Sequence, residues 1–164
     1  MTKAVRIATV GVAVAGSVVL LQGSLASASP AASTDGHHDD DVDLEFDVQF
    51  SPFNYTDLGQ PGPGPADLIV FHDVLLTGGV EVGHESGSCV VVDAQGFASC
   101  TAVITLDDGG TIAYALENSP PPRKTLAVTG GSGRYRSAGG DGVLVEHGDA
   151  ANTGTLRLHL ELDG

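Results

Sequence analysis

Thr155-Leu156-Arg157-Leu158-His159-Leu160-Glu161-Leu162-Asp163 alternates apolar and polar side chains without a break. A strand sends successive side chains to opposite faces, so this stretch puts four leucines on one face and Arg157, His159 and Glu161 on the other. A helix would spread the same leucines around its circumference. The segment therefore reads as a half-buried strand. Leu44, Phe46, Val48 and Phe50 repeat the pattern against Glu45, Asp47 and Gln49.

Six further stretches between these two read as strands: residues 67–76, 80–92, 97–106, 111–117, 124–129 and 142–147. Asp107-Asp108-Gly109-Gly110 has the chemistry of a hairpin turn. Pro120, Pro121 and Pro122 make residues 118–123 a loop. Residues 51–66, rich in Pro and Gly, read as a long loop without regular structure, long enough to cover the mouth of a barrel. After residue 28 no window holds a helical period. Eight short strands with close turns predict an antiparallel sandwich or a closed barrel. Alternation alone does not choose between the two.

At 164 residues the chain has room for one ordinary domain. Its net charge of -14 argues against non-specific nucleic-acid binding, which needs clustered cations to displace counterions. Apolar residues at 41% are enough for a core. Residues 1–28 have the three-part pattern of a secretory signal. Lys3 and Arg6 precede an uncharged apolar run over 7–21, and Ala26-Ser27-Ala28 is a small-x-small cleavage site. The run is shorter than the roughly 20 residues of a spanning helix. The expected organisation is a signal peptide over 1–28, an acidic flexible leader over 29–43 and a barrel domain over 44–164. The protein is expected outside the cell, with no membrane attachment after cleavage.

Export places Cys89 and Cys100 in an oxidising compartment. With the intervening turn centred on Ala94-Gln95 they stand opposite each other, and a cross-strand disulfide is the favoured reading over a free thiol. Closing so short a loop adds about 3 kcal/mol on the chain-entropy model. His37, His38, Asp39, Asp40 and Asp41 contain metal-binding groups, but the cluster reads as a solvated acidic tail because it sits on no rigid element. His72, His84, His147 and His159 lack metal-ligand spacing, so no metal is expected. Residues 129–135, Gly-rich, lack the Gly-Lys-Ser/Thr ending of a phosphate loop and the helix that would follow it. Asn54-Tyr55-Thr56 is a glycosylation sequon whose use depends on the host.

Leu126-Ala127-Val128-Thr129-Gly130-Gly131-Ser132-Gly133 resembles the signature of allene oxide cyclases, with Tyr135 and Gly139-Gly140-Asp141-Gly142-Val143 following in step. Asp67-Leu68-Ile69-Val70-Phe71 and Gly87-Ser88-Cys89-Val90-Val91 are similar to two other strands of that family. Order and spacing hold over residues 44–163, and dirigent proteins share a near version of the Gly motif. The resemblance implies an all-β fold, an eight-stranded antiparallel barrel around an apolar cavity, often trimeric in plants. It puts Glu45 in the family's acidic catalytic position, with Asp47 where the family has Asn and Ser51-Pro52 on the loop beyond. The gap from Glu45 to Ser51 is shorter than the family pattern. Ser51, Pro52, Phe71 and Tyr114 are the implied substrate-binding residues.

The implied activity is a cofactor-independent cyclase or isomerase that folds a lipophilic substrate for intramolecular ring closure. A carboxylate there would stabilise developing positive charge or move a proton. The second reading is a non-catalytic dirigent-like barrel that binds or orients a lipophilic or phenolic molecule, and a third is a structural envelope protein. Expected partners are a lipophilic small molecule and further copies of the chain, as a dimer or trimer. The orientation and environment of Glu45 separate the first two: buried in a cavity with a raised pKa it supports catalysis, and facing solvent it supports binding.

Overall fold

A computed structural model describes residues 40–120 and 122–162. The signal segment, its cleavage site and His37, His38 and Asp39 lie outside the described residues. The described chain is almost entirely strand: β1 (Asp40–Gln49), β2 (Asn54–Thr56), β3 (Leu68–Thr77), β4 (Val80–Val91), β5 (Ala98–Leu106), β6 (Thr111–Asn118), β7 (Arg123–Ser132), β8 (Ala138–Glu146) and β9 (Thr153–Leu162). One short 3-10 turn, Gly133–Tyr135, joins β7 to β8.

Neighbours run antiparallel in the order β1-β9-β8-β7-β6-β5-β4-β3. β3 then returns to β1 through Asp47↔Leu76, Val48↔Leu75 and Gln49↔Val74. The sheet is therefore a closed eight-stranded barrel, which leaves no long free edge. β1 reaches only the second half of β3, and β2 covers the first half through Asn54↔Val70 to Thr56↔Leu68.

Two expectations need correction. The segment 51–66 is not wholly irregular, because β2 lies within it. Asp67 organises that segment: its buried carboxylate accepts hydrogen bonds from Tyr55 Oη, the Leu58 amide and the Gly64 amide. The barrel also begins at Asp40 and not at residue 44. Asp40, Asp41, Val42 and Asp43 pair with Leu162, Glu161, Leu160 and His159, because β9 offers a full ladder that a strand starting at Leu44 would leave unpaired.

The alternation resolves as apolar in and charged out. Val48, Leu75, Ile104, Ile112, Leu156 and Leu160 are fully buried. Each such side chain contributes about 1.5–3 kcal/mol relative to exposure. The charged outer face of β1 meets that of β9, as in the pair of His159 Nδ1 and Asp43 Oδ1 at 2.9 Å. Such exposed pairs add little stability.

The Gly-rich motif of residues 126–133 seals one end of this core. Leu126 and Val128 point inward, and Gly133, at φ +63°, turns the chain in a region open to glycine. The turn delivers Tyr135 into the core, against Gly110. A Cβ on Gly110 would lie 2.3 Å from the Tyr135 ring. The motif therefore closes one end of the barrel.

Candidate functional site

The two ends of the barrel differ. The connections at the closed end are short: residues 78–79, 107–110 and 133–137. At the other end lie residues 50–67, 92–97, 119–120, 122 and 147–152, and a cavity of about 570 Å³ opens among them. That volume suits one ligand of drug-like size. Phe50, Ile69, Phe71, Leu116 and Leu144 form apolar wall, and Phe53, 61% exposed, stands at the lip.

Position 87 makes room for this wall. A Cβ on Gly87 would sit 2.4 Å from Phe71 Cζ and 2.6 Å from the Thr101 carbonyl oxygen. Only glycine lets the Phe71 ring lie across β4. On the same inward face of β4 stand Glu85 and Cys89. Cys89 is directly opposite Cys100 on β5, and the two form the expected disulfide within the cavity wall.

Glu85 is the central polar group. It is 1% exposed, and Tyr114 Oη on β6 donates to its Oε2 at 2.8 Å. Burial pushes the Glu85 carboxyl up to about 7; the Tyr114 hydrogen bond pulls it partly back, and the Asp73 charge adds to the rise. Asp73, on β3, is the direct cross-strand partner of Glu85. Its Oδ1 accepts from the Ser51 amide at 2.8 Å and from Ser51 Oγ at 3.0 Å. Burial raises the Asp73 pKa as well, and the Ser51 donors oppose the rise. Nearer the mouth, Lys124 of β7, itself buried, pairs with Glu146 of β8 at 2.7 Å. The site thus offers a carboxyl that exists in both protonation states near neutrality, held by a phenol in a largely apolar chamber.

The expected site residues divide cleanly. Ser51, Pro52, Phe71 and Tyr114 all line the cavity, as do Cys89 and Cys100. Glu45 and Asp47 do not, which corrects their assignment to the catalytic position. Both are exposed on the outer face of β1, because Leu44, Phe46 and Val48 take the inner face and a strand has only two. Glu45 Oε2 instead accepts from Arg157 Nε at 3.0 Å. That hydrogen bond holds the Glu45 carboxyl below its ordinary value, the reverse of what a proton donor near neutrality needs.

Glu85 and Asp73 were not anticipated, yet a signal for Glu85 exists. On β5, Ala98, Cys100, Ala102, Ile104 and Leu106 alternate with Ser99, Thr101, Val103 and Thr105, which puts Cys100 inward. A directly opposed Cys89 shares that face, and Glu85, four residues earlier, has the same parity. Asp73 then follows from its pairing with Glu85.

No protein-family profile and no curated protein matches the sequence. Solved structures do match. A pyocyanin demethylase aligns at TM-score 0.64 and 26% identity, over 73% of this chain and 99% of its own. A pterocarpan synthase dirigent protein aligns at TM-score 0.65 and 13% identity, over 78% and 98%. The Diels Alderase AbmU from Streptomyces koyangensis aligns at TM-score 0.60 and 21% identity, over 76% and 69%. The chain therefore has the eight-stranded antiparallel barrel that dirigent proteins and cyclase-like barrels share, the allene oxide cyclase and dirigent type that residues 126–133 resemble.

Proposed function

We propose that this barrel is a cofactor-independent cyclase or isomerase acting on a lipophilic small molecule held in the cavity, with Glu85 as the proton-transferring group. The observation that carries the reading is the Glu85–Tyr114 pair: a buried carboxyl titrating near neutrality inside an apolar chamber. A general acid is most effective when its pKa lies near the working pH. The walls supply the other part, holding a flexible substrate near its cyclised shape and so removing entropy from the barrier. Protonation of the bound substrate by Glu85, ring closure or bond migration, and return of a proton to Glu85 leave the product isomeric with the substrate. Fold neighbours of both kinds, a Diels Alderase and dirigent proteins, are compatible with such a chamber.

The test is a screen of lipophilic polyenes and phenols with purified protein and no additive, read by mass spectrometry for products of unchanged mass. Turnover is expected to fall by about 10²–10⁴ in Glu85→Gln, the range for loss of a general acid or base. Substrates that bind but do not turn over would replace this reading with the dirigent-like one.

The protein is also proposed to be exported. The pattern over residues 1–28 and the Cys89–Cys100 disulfide both support it. Amino-terminal sequencing of protein recovered outside the producing cells should begin at Ser29; retention inside the cell would refute it.

A further inference from the structure

The polar lining of the cavity is lopsided. Asp73, Glu85 and Glu146 bring three carboxyls to it, and Lys124 one ammonium. Lys124 is paired with Glu146. Asp73 and Glu85, side by side on β3 and β4, take their hydrogen bonds from the neutral donors of Ser51 and Tyr114. An anionic group brought beside them would meet like charge at low dielectric, where repulsion is strong. A cationic or N–H-bearing group would be attracted by both carboxyls and would replace some of the hydration that burial removed. Above them stand three of the chain's five phenylalanines, Phe50, Phe53 and Phe71, whose faces suit both a flat hydrocarbon body and a cation.

We infer that the cavity selects a lipophilic amine or N-heteroaromatic, with its nitrogen against Asp73 and Glu85 and its carbon skeleton among Phe50, Phe53 and Phe71. This rests on the reading of the cavity as the substrate site and names the class that site takes. It also argues against a carboxylate-bearing lipid, because the side chains at this depth are themselves carboxyls.

Three fluorescent probes with one tricyclic body test it: aminomethylanthracene as the cation, hydroxymethylanthracene as the neutral form and anthracene carboxylate as the anion. With the full protein at about pH 8 the amine should bind at least about tenfold tighter than the alcohol, and the carboxylate most weakly. The whole protein carries a net charge of -14, so the titration is repeated at about 0.5 M salt, where attraction to the outer surface is screened. The preference should survive. Affinity for the amine should fall by about tenfold between pH 8 and pH 6 as Glu85 takes up a proton, while the alcohol stays level. The ionisable groups facing Glu85 from other strands are Asp73 of β3 and Tyr114 of β6, with Lys124 of β7 and Glu146 of β8 nearer the mouth. Glu85→Gln should remove most of that pH dependence, with an unchanged circular dichroism spectrum reporting that the variant is folded. Asp73→Asn, checked for folding in the same way, should lower amine affinity severalfold. Equal binding of amine and alcohol, preference for the carboxylate, or loss of the preference in salt would overturn the inference while leaving the cavity as a binding site. Failure of all three probes to bind would overturn it together with the proposed function.

Discussion

Glu85→Gln should stabilise the barrel at neutral and alkaline pH, by an amount that the burial of Glu85 sets. In the folded protein its carboxyl is pushed from 4.5 up to about 7. At about 1.4 kcal/mol per pH unit, that is about 3 kcal/mol of preference for the neutral form. The sign follows from proton counts. Between pH 4.5 and 7 the folded state holds more proton than the unfolded state, so stability falls as pH rises through this window. The contribution is fully present below pH 4.5 and lost above about 7. Gln keeps an acceptor for Tyr114 and carries no charge at any pH. Wild type and variant should therefore melt together near pH 4 and part by up to about 3 kcal/mol at pH 8, a gap of roughly 10 °C for a domain of this size. Thermal unfolding followed by circular dichroism across pH 4 to 8 measures it. Parallel melting curves at every pH would show that the carboxyl is unshifted, and a wild type that gains on the variant as pH rises would show that the carboxylate is stabilised as an ion; either result would remove the proton-transfer role.

Four other outcomes follow from the same structure. Replacing Cys89 and Cys100 together by Ala should cost about 3 kcal/mol and lower the melting temperature, because the unfolded chain loses its short closed loop. Gly87→Ala should cost about 1–3 kcal/mol through the clash with Phe71 and the Thr101 carbonyl, and should weaken binding of a neutral apolar dye as the ring is displaced. Glu45→Gln breaks only an exposed pair with Arg157 and should leave dye affinity, turnover and melting temperature as they are; a large loss of turnover would restore Glu45 to the site. Tyr114→Phe removes the hydrogen bond that holds the Glu85 carboxyl down, so the pH midpoint of amine binding should move upward.

The fold was legible because a barrel strand has only two faces, and most strands declare them. Thr153–Leu162 is the clearest case, with Gly154 and then four leucines at its inward positions. The loops declared themselves through Gly and Pro. Residues 40–43 did not, because a run of aspartates reads as a solvated tail until β9 is known to extend alongside it. The site was half legible for a related reason. Tyr114 and Phe71 are apolar enough to be assigned inward. Glu45 was assigned inward on family likeness against the alternation of its own strand, and the alternation won. Glu85 escaped because β4 has no strong hydropathic parity: Val80, Val82 and Val90 stand on one register, Cys89 and Val91 on the other, with glycines between. Only the disulfide fixes that register, through the cleaner alternation of β5.

The barrel divides its labour along its axis. The closed half is filled by Leu75, Ile104, Ile112, Leu156 and Leu160, sealed by Tyr135, and carries most of the packing energy. The open half gives up that packing to keep a chamber and places Glu85 and Asp73 in it, which destabilises the fold at neutral pH. The disulfide lies in this same half, on the same face of the same strand as Glu85, and ties β4 to β5 beside the chamber. Its contribution of about 3 kcal/mol on the chain-entropy model is the size of the Glu85 penalty. The two effects are independent in origin, so their free energies should add. Reduction should bring the wild type closest to unfolding above pH 7, where Glu85 is charged, and least so near pH 4. In Glu85→Gln that difference between the two pH values should shrink. A disulfide loss that costs the same at both pH values in both proteins is the additive result expected; a cost that depends on pH in the wild type but not in Glu85→Gln would show instead that the disulfide and the carboxylate are coupled.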